Sequence, residues 1–340
     1  MLSPIQKAAR RAMEVYSGSQ AAERIDHDGY TRVDPFRVAD TAGVLVMLRP
    51  LEKLLGAFVR EGRPGILVNA QRSTGLIHMT CAHELGHFFL GHGSTADEKL
   101  DYDQSAAQIE QEADWFAYQL LTPRSLLATV MKRKRWSVQS LLEPVLLYQF
   151  SLRLGVSYRA AAWTLHRNRL INRIAAERLL KTSPAEIKRE LLGHDMIDAR
   201  REVWLLDDSD RASVLEPRPE DVLIVHLSSC AGSGYVWGLD ELSSQGFEVR
   251  PLAQASRDRA ELSKLVFGRR RSADVLLIPS EAAAVSNKPV PISLVERRPW
   301  ERTLGGDEST FSANARFEHL GLGLSGVAKC RLLELGNVTT

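Results

Sequence analysis

The 340-residue sequence has few cysteines and no apolar run long enough to cross a membrane. Its three cysteines, Cys81, Cys230 and Cys330, are too few and too widely spaced to form a disulfide framework. No apolar stretch approaches the ~20 residues that a bilayer-spanning helix requires. The amino-terminal segment also lacks the continuous apolar core of a signal peptide. These absences predict a cytoplasmic protein with reduced thiols and no membrane partner.

The sequence also has almost no net charge, because 44 basic residues are balanced by 42 acidic ones. Without a global positive field, neither nucleic acid nor a membrane surface is favoured as a partner. The basic clusters at 132–135, 269–271 and 297–298 are short and typical of solvated faces. With 44% hydrophobic and 25% charged residues, the composition is that of a globular chain long enough for two domains.

One motif with clear chemistry is present, since residues 80–92 read TCAHELGHFFLGH and contain H-E-x-x-H at His83, Glu84 and His87. On a helix, positions four apart lie nearly one above the other, so both imidazoles project from one face. Two converging imidazoles suit Zn²⁺, and a glutamate beside the first histidine can act as a base towards water at the metal. The neighbouring residues are apolar, and burying these polar side chains without a metal would be costly.

A second helix is predicted to supply a third metal ligand. Residues 106–123, AAQIEQEADWFAYQLLTP, have apolar positions at helical spacing and end at a proline. Gluzincin-type proteases take a glutamate from such a helix. Glu110 flanks the apolar stripe whereas Glu112 projects to the other flank, so Glu110 is the predicted ligand and Glu112 the alternative. Asp114, one turn after Glu110, is placed to accept a hydrogen bond from a ligating histidine.

The spacing excludes the metzincin arrangement. H-E-x-x-H-x-x-G-x-x-H would need glycine at position 90 and histidine at position 93, where the sequence has Leu90 and Gly93. His92 is one residue too early, so it is predicted to end the helix rather than to bind metal. His78, one turn before His83, is predicted to have a structural role.

Together these segments resemble the ImmA/IrrE family of metallopeptidases. The resemblance rests on GILVNAQRSTGLIHMTCAHELGHFFLGH followed by IEQEADWFAYQLLTP, and it covers roughly residues 10–180. The family's pattern is a strand ending in asparagine, an AHELGH helix, and an E-x-x-x-(N/D)-x-x-A helix ending in (M/T)P. Matched position by position, the resemblance implies zinc ligands at His83, His87 and Glu110. It also implies that Glu84 is the catalytic glutamate.

The flanking segments predict further helices and strands. A helix is expected over residues 1–24, a short helix and a strand within 33–48, and a strand at 65–69. LLYQFSLRLGVSYRAAAWTLHRNRLI predicts two short helices separated by a Gly-Val-Ser turn, as in the same family. Alone, it would also suit a DNA-reading helix-turn-helix. Because Ala160 to Trp163 and Leu165 lie on the second helix, packing against the protease core is favoured over direct nucleic-acid binding.

The second half of the sequence changes character. Short strand-like runs are separated by glycine, serine and proline, a spacing typical of a β-sandwich: DVLIVHLSS, GYVWGL, FEVRPL, ADVLLIP, VPISLVERRPW, STFSANARFEHL and VAKCRLLEL. GSGYVW (232–237) and ERRPWE (296–301) resemble loops of chagasin-type cysteine-peptidase inhibitors, which are immunoglobulin-like. That family's Asn-Pro-Thr-Thr is replaced here by Cys-Ala-Gly-Ser at 230–233, so the resemblance implies the fold rather than inhibition. In the simpler interpretation, the bulky loop residues only pack at one end of the sandwich: Tyr235, Trp237, Pro299 and Trp300.

The predicted fold class is α+β. A mainly helical, zincin-like (gluzincin) core with a small sheet is followed by an all-β immunoglobulin-like sandwich. The predicted boundaries are a metallopeptidase domain at 1–205, a linker at 206–219 and a β-sandwich domain at 220–336.

Residue chemistry and resemblance together predict a zinc-dependent endopeptidase. Glu84 would take a proton from the attacking water and pass it to the leaving amine. Tyr102, Tyr118 and His78 are candidate donors to the oxyanion, and the sequence selects none of them. The resemblance implies a protein substrate, a helix-turn-helix repressor of stress, mobile-element or phage-response genes. The β domain would then sense a signal, recognise the substrate or restrain the protease.

Other functions stay open. One is a non-enzymatic binding or toxin–antitoxin-type module with structural zinc, in which Glu84 would have no use. Another is a nucleic-acid-binding regulator that uses residues 145–172 and the cluster at 132–135. One route to restraint of the protease is a Cys230 thiolate in the open metal position. The sequence indicates neither the oligomeric state nor a particular substrate.

Overall fold

The computed structural model describes residues 3–97, 108–192, 198, 200–229, 235–238, 246–251, 271–286, 288–298 and 309–337. Over these residues the fold is α+β, with many helices and several small mixed sheets. The chain divides into two compact units. The first unit contains Met1–Lys132, Trp136–Lys181 and His319–Thr340, and the second contains Arg133–Arg135 and Thr182–Glu318.

The helices of the described residues are, in chain order, α1 (Pro4–Gly18), α2 (Ala21–Asp26), α3 (Pro35–Thr41), α4 (Thr74–Leu90), α5 (Gln108–Leu121), α6 (Arg124–Lys134), α7 (Pro144–Leu154), α8 (Tyr158–Arg167), α9 (Arg173–Leu179), α10 (Pro184–Leu192), α11 (Glu281–Val285) and α12 (Gly326–Asn337). Two single-turn 3₁₀ helices lie at Ser140–Leu142 and Asp208–Asp210. No helix of the described ranges combines the length and apolar composition needed to cross a bilayer.

The strands of the described residues are β1 (Leu45–Arg49), β2 (Gly56–Val59), β3 (Gly65–Asn69), β4 (Thr95–Asp97), β5 (Val203–Leu206), β6 (Val214–Leu215), β7 (Val222–Ser229), β8 (Val236–Trp237), β9 (Phe247–Pro251), β10 (Arg271–Pro279), β11 (Val290–Arg297), β12 (Ser309–Ala315) and β13 (Gly323–Leu324).

The first unit is built on a five-stranded sheet in the order β13-β1-β3-β2-β4. β1 and β3 run parallel, and the other pairings are antiparallel. Helix α4 packs against β2, β3 and α5, and α1 packs against α5 as well as α4. The sheet therefore supports the helix that contains the H-E-x-x-H motif.

Several predicted elements of the first unit are confirmed. α3 leads through a turn at Gly43 (φ 75°) into β1, and β3 spans Gly65–Asn69 as expected. The predicted continuous helix over residues 1–24 is wrong. It divides into α1 and α2 because Gln20 adopts a left-handed conformation (φ 59°) that a right-handed helix cannot accommodate.

The two helices after Trp136 form as predicted, as α7 and α8. Gly155 ends α7 in the left-handed conformation (φ 68°), and the Ser157 hydroxyl caps α8 by accepting the Ala160 N–H at 3.1 Å. Most of α8 is buried, including Ala160, Ala161, Ala162 and Leu165. These residues of α8 therefore pack inside the protein, as the sequence predicted for this helix.

In the described residues, the second unit contains two four-stranded sheets, in the orders β5-β7-β10-β9 and β6-β12-β11-β8. β5 pairs with β7 and β6 pairs with β12 in parallel, whereas the remaining pairs are antiparallel. Part of its core is formed where α10 meets the first sheet, by Leu192, Val203, Val222 and Ile224. The immunoglobulin-like sandwich stays a prediction.

One predicted strand is wrong, because VAKCRLLEL lies in helix α12. The Ser325 side chain accepts the Ala328 N–H at 3.3 Å, which caps the first turn, and Ala328 is buried. Alanine, lysine, arginine, leucine and glutamate all favour helix, and that preference prevails over the apolar content of the run. The predicted β-sandwich range, 220–336, thus contains a helix that belongs with the first unit.

The compact units also differ from the predicted boundaries at 205/206 and 219/220. β5 spans 203–206 and pairs with β7, so the last residues of the predicted first domain join a sheet of the second unit. The predicted linker 206–219 contains a 3₁₀ turn and β6, which pairs with β12. A strand of only a few residues has too short a sequence pattern to be predicted, and it forms only when it pairs with a neighbouring strand. A segment of such strands between polar residues therefore resembles a linker in sequence.

The chagasin-like loops fall partly outside the described residues, which exclude 230–234 and 299–308 and hence Cys230, Pro299 and Trp300. Of the described loop residues, Tyr235 has the Arg298 guanidinium 4.6 Å from its ring centre. The indole N–H of Trp237 donates to the Ser228 carbonyl at 3.3 Å. These two contacts show where both aromatic side chains pack.

Candidate metal centre

Helix α4 carries the motif through the interior of the first unit. Every residue from Ile77 to His87 is buried, and the helix ends at Gly91 in the left-handed conformation (φ 80°). The exposed fractions of His83, Glu84 and His87 are 2%, 0% and 0%. Three ionisable side chains at such depth require compensating partners.

The contact between α4 and α5 depends on Gly86 in the middle of the motif. A Cβ atom at Gly86 would lie 2.9 Å from the Cα and 3.0 Å from the carbonyl oxygen of Ala113. Only glycine permits this approach of the two helices. As a result, Glu110 and Asp114, on either side of Ala113, reach the histidines of α4.

Three potential ligand atoms converge between these helices. His83 Nε2 and His87 Nε2 are 3.1 Å apart, and Glu110 Oε2 lies 3.2 Å from the first and 3.5 Å from the second. A tetrahedral site with bonds of about 2.0–2.1 Å has edges of about 3.3 Å. The three atoms therefore have the spacing of one face of such a tetrahedron, and they form a group that could hold a metal ion.

The hydrogen bonds around His83 support this interpretation. Its Nδ1 is 2.9 Å from Asp114 Oδ1, and because an ionised carboxylate only accepts, Nδ1 carries the proton. The neutral ring then presents a lone pair at Nε2 towards the Glu110 carboxylate. Acceptor atoms this close together require a shared cation, and a metal ion can serve all three.

Glu84 is held between α4 and strand β2. A Cβ atom at Gly56 would lie 2.7 Å from Glu84 Oε1 and 2.5 Å from Thr80 Cγ2. The main chain of β2 therefore passes directly along the carboxylate and limits its orientations. Glu84 is one residue from His83, so it lies on the neighbouring face of the helix.

A residue that the sequence analysis missed, Arg60, holds the carboxyl end of α4. Its guanidinium donates to the carbonyl oxygens of His92, Phe88 and His87 at 2.7, 3.0 and 3.3 Å. It also lies 5.1 Å from the Phe58 ring centre. A cation is favourable at this end of a helix. These contacts join positions about thirty residues apart, so no sequence spacing signals them.

The remaining candidates occupy other positions. Glu112 Oε2 lies 3.5 Å from His92 Nε2, so the alternative third ligand pairs with the residue that follows the helix. His78 Nδ1 is 2.7 Å from the Gly155 carbonyl oxygen. Tyr118 is buried against the guanidinium of Arg167, 3.6 Å from its ring centre, and burial raises its pKa. Tyr102, the third oxyanion candidate, lies outside the described residues.

Comparison with known proteins places a family match over this part of the chain. Residues 39–166 match the family model Peptidase_M78, the IrrE N-terminal-like domain. The matched segment includes all five predicted site residues: His83, Glu84, His87, Glu110 and Asp114. It supports a metallopeptidase of the ImmA/IrrE type in this part of the chain. No curated protein matches the chain.

Among solved structures, two that resemble part of the chain are protein structures of low sequence identity. The cysteine protease inhibitor EhICP2 from Entamoeba histolytica has 13% identity and a TM-score of 0.26, covering 35% of this chain and 97% of its own. The solution structure of Amebosin has 16% identity and a TM-score of 0.25, covering 34% of this chain and 98% of its own. Neither likeness is close enough to assign a fold or a function.

Proposed function

We propose that the protein is a zinc-dependent endopeptidase of the ImmA/IrrE type. The observation that carries this proposal is the triangle of His83 Nε2, His87 Nε2 and Glu110 Oε2, with sides of 3.1, 3.2 and 3.5 Å. Two imidazoles and a carboxylate are the donor set of catalytic zinc sites that keep one position open. The family match over residues 39–166 supports the same activity.

The roles of the surrounding residues follow from their positions. Bound zinc would supply Lewis acidity, which polarises a carbonyl and lowers the pKa of water. Glu84 takes a proton from the attacking water and delivers it to the nitrogen of the leaving amine. Gly56 keeps that carboxylate in one place, because β2 runs against it. Asp114 accepts the Nδ1–H of His83 and so fixes the orientation of that ring.

The proposed substrate is a protein, a helix-turn-helix repressor of stress, mobile-element or phage-response genes, and the proposed location is the cytoplasm. Resemblance to the ImmA/IrrE family supports both. We further propose that the sheets of the second unit sense a signal, recognise the substrate or restrain the protease. The sequence likeness of 232–237 and 296–301 to chagasin-type loops supports an immunoglobulin-like domain there.

The test combines metal content with cleavage. Wild type, Glu84→Gln, Glu110→Gln and Glu112→Gln would be purified, their zinc measured, and each incubated with a helix-turn-helix repressor encoded beside the gene. We expect one zinc per chain in wild type. Glu84→Gln should keep zinc but lose cleavage, because it retains all three ligands and lacks the base. Glu110→Gln should lose most of its zinc, and Glu112→Gln should keep more than Glu110→Gln.

A non-enzymatic module with structural zinc would give a different pattern. Zinc would be stoichiometric, no tested repressor would be cut, and Glu84→Gln would equal wild type in every binding assay. Full zinc in Glu110→Gln would contradict the ligand assignment, and a wild type without zinc would contradict the central proposal.

A further inference from the structure

His92 lies beside the second histidine of the motif, outside the proposed ligand set. After Gly91 reverses the chain, the His92 N–H donates to the His87 carbonyl at 3.0 Å. The two rings meet edge to face, with centres 5.1 Å apart, and their Nδ1 atoms are 3.0 Å apart. The His92 side chain is only 10% exposed, so this contact is largely shielded from water.

Glu112 stands at the far side of the His92 ring. Its Oε2 lies 3.5 Å from His92 Nε2, and its Oε1 accepts from the Gln108 side-chain amide at 2.7 Å. Glu112 thus belongs to a chain of contacts that runs from its carboxylate through His92 to His87. This series of contacts ends at the His87 ring, whose Nε2 is one of the three proposed ligand atoms.

The chemistry of these contacts fixes which nitrogen atoms carry protons. A carboxylate accepts hydrogen bonds, so Glu112 favours a proton on His92 Nε2 and leaves His92 Nδ1 as an acceptor. The adjacent His87 Nδ1 must then donate, which leaves its Nε2 lone pair directed at the metal triangle. Only this tautomer of His87 can bind a metal through Nε2.

We infer that Glu112 and His92 are positioning residues, which hold His87 in the tautomer and orientation that bind zinc. This inference rests on the proposed zinc site and deepens it. His83 is oriented by Asp114 directly, at 2.9 Å. His87 is oriented by Glu112 through an intervening imidazole. The two acidic residues therefore perform the same task from one helix, α5, on the two histidines of α4.

The experiment measures zinc affinity of the full chain by competition with a chromogenic chelator. Wild type is compared with His92→Phe, His92→Gln, Glu112→Ala and Glu112→Gln, and the exposed Glu52→Gln is the charge control. Loss of a group that orients a metal ligand typically weakens binding 10- to 100-fold. We expect a loss of about this size for His92→Phe and Glu112→Ala, and none for Glu52→Gln.

The two glutamine variants separate positioning from simple packing. A glutamine amide oxygen can accept the His87 Nδ1–H, so His92→Gln should recover part of the affinity that His92→Phe loses. Glu112→Gln should likewise be milder than Glu112→Ala. The Co²⁺-substituted protein should show altered d–d absorption bands in His92→Phe, because the angle of one ligand changes. Melting temperatures without metal confirm that each variant is folded.

Opposite results would overturn the inference. If the His92 ring only fills space, His92→Phe will bind zinc as wild type does and His92→Gln will be the weaker variant. That result leaves the proposed peptidase intact. Absence of zinc from wild type would instead overturn the proposed function, and the two failures are therefore distinguishable.

Discussion

At the scale of single residues, Gly56 has the most specific consequence for chemistry. Alanine at this position would place a methyl group 2.7 Å from Glu84 Oε1 and 2.5 Å from Thr80 Cγ2, and both side chains would have to move. We predict that Gly56→Ala keeps its zinc but loses roughly 100-fold in cleavage rate, the effect of displacing a catalytic group by about 1 Å. Metal content and repressor cleavage, measured on the same preparation, test this.

Gly65→Ala is the matched control in the neighbouring strand. A Cβ atom there meets only the Leu45 carbonyl oxygen at 3.8 Å, an ordinary contact. Its cleavage rate should stay near that of wild type. Equal rates for both variants would show that Glu84 moves freely at this contact.

Single residues also show what the sequence can and cannot predict. His83, Glu84 and His87 follow from one helix, because four-residue spacing fixes their common face. The choice between Glu110 and Glu112 does not follow from spacing within one helix, because both residues flank the same apolar stripe. It depends on the closeness of α4 and α5 and on His92, which attracts Glu112.

At the scale of elements, the separation of α4 and α5 sets the spacing of the candidate metal ligands. In an isolated helix, replacing glycine by alanine would stabilise by about 1 kcal/mol. At Gly86 the added methyl would meet the Ala113 main chain at 2.9 Å, and overpacking costs about 1–3 kcal/mol. We predict that Gly86→Ala unfolds more easily and binds zinc at least tenfold more weakly, because Glu110 moves away from the histidines.

Gly93→Ala provides the comparison for this prediction. Position 93 is exposed, and no atom of the described residues lies within 4 Å of an added Cβ atom. Thermal melting and chelator competition should give values close to wild type. If Gly86→Ala behaves in the same way, the two helices have room to spare at this contact.

Elements differ in how far their own sequence determines them. α4 and α5 are long and periodic, so they are predictable. β13 has two residues and β2 has four, and both become strands only by pairing with β1 and β3. α12 was predicted as a strand because its apolar residues were counted without the Ser325 cap.

At the scale of the whole molecule, one buried acid gives the second unit a pH dependence. Asp221 accepts N–H groups of Glu202 and Arg218 at 2.8 Å and of the Trp204 indole at 3.1 Å, yet burial raises its pKa to about 6. The folded state then holds a proton between about pH 4 and 6 that the unfolded state releases. Stability from this group therefore falls as pH rises through that range, by roughly 3 kcal/mol.

The measurement is urea unfolding of wild type and Asp221→Asn from pH 4 to 7. Other carboxylates titrate in the same range, so the difference between the two proteins is the informative quantity. It should shift in favour of the variant as pH rises and level off towards pH 7. Asp208→Asn, at an exposed acid, should show no such shift. A constant difference for Asp221→Asn would contradict the prediction.

The carboxyl-terminal segment is predicted to stabilise the first unit. β13 pairs with β1, the Ser325 N–H donates to the Val46 carbonyl at 2.9 Å, and Arg331 donates to the Asp40 carbonyl at 2.8 Å. We expect deletion of 319–340 to lower the melting temperature by about 5–10 °C, which corresponds to a loss of a few kcal/mol.

Deletion of 338–340 alone is the control for this effect, and calorimetry follows the melting of both proteins. An unchanged melting temperature after the larger deletion would show that the segment is dispensable. This arrangement could not be predicted from the sequence, because a return of the chain to the first unit after more than 130 residues of the second unit leaves no local pattern.

This return of the chain has a consequence for synthesis on the ribosome. β1 and β3 have been translated by residue 69, but β13 follows only at 323, after the second unit. At about 5–20 residues per second, residues 182–318 alone take roughly 7–27 s. During that time β1 has an open edge, which is prone to pair with other chains. The sheet that supports the motif helix can therefore be completed only after translation of the second unit, so any protease activity that depends on it arises late.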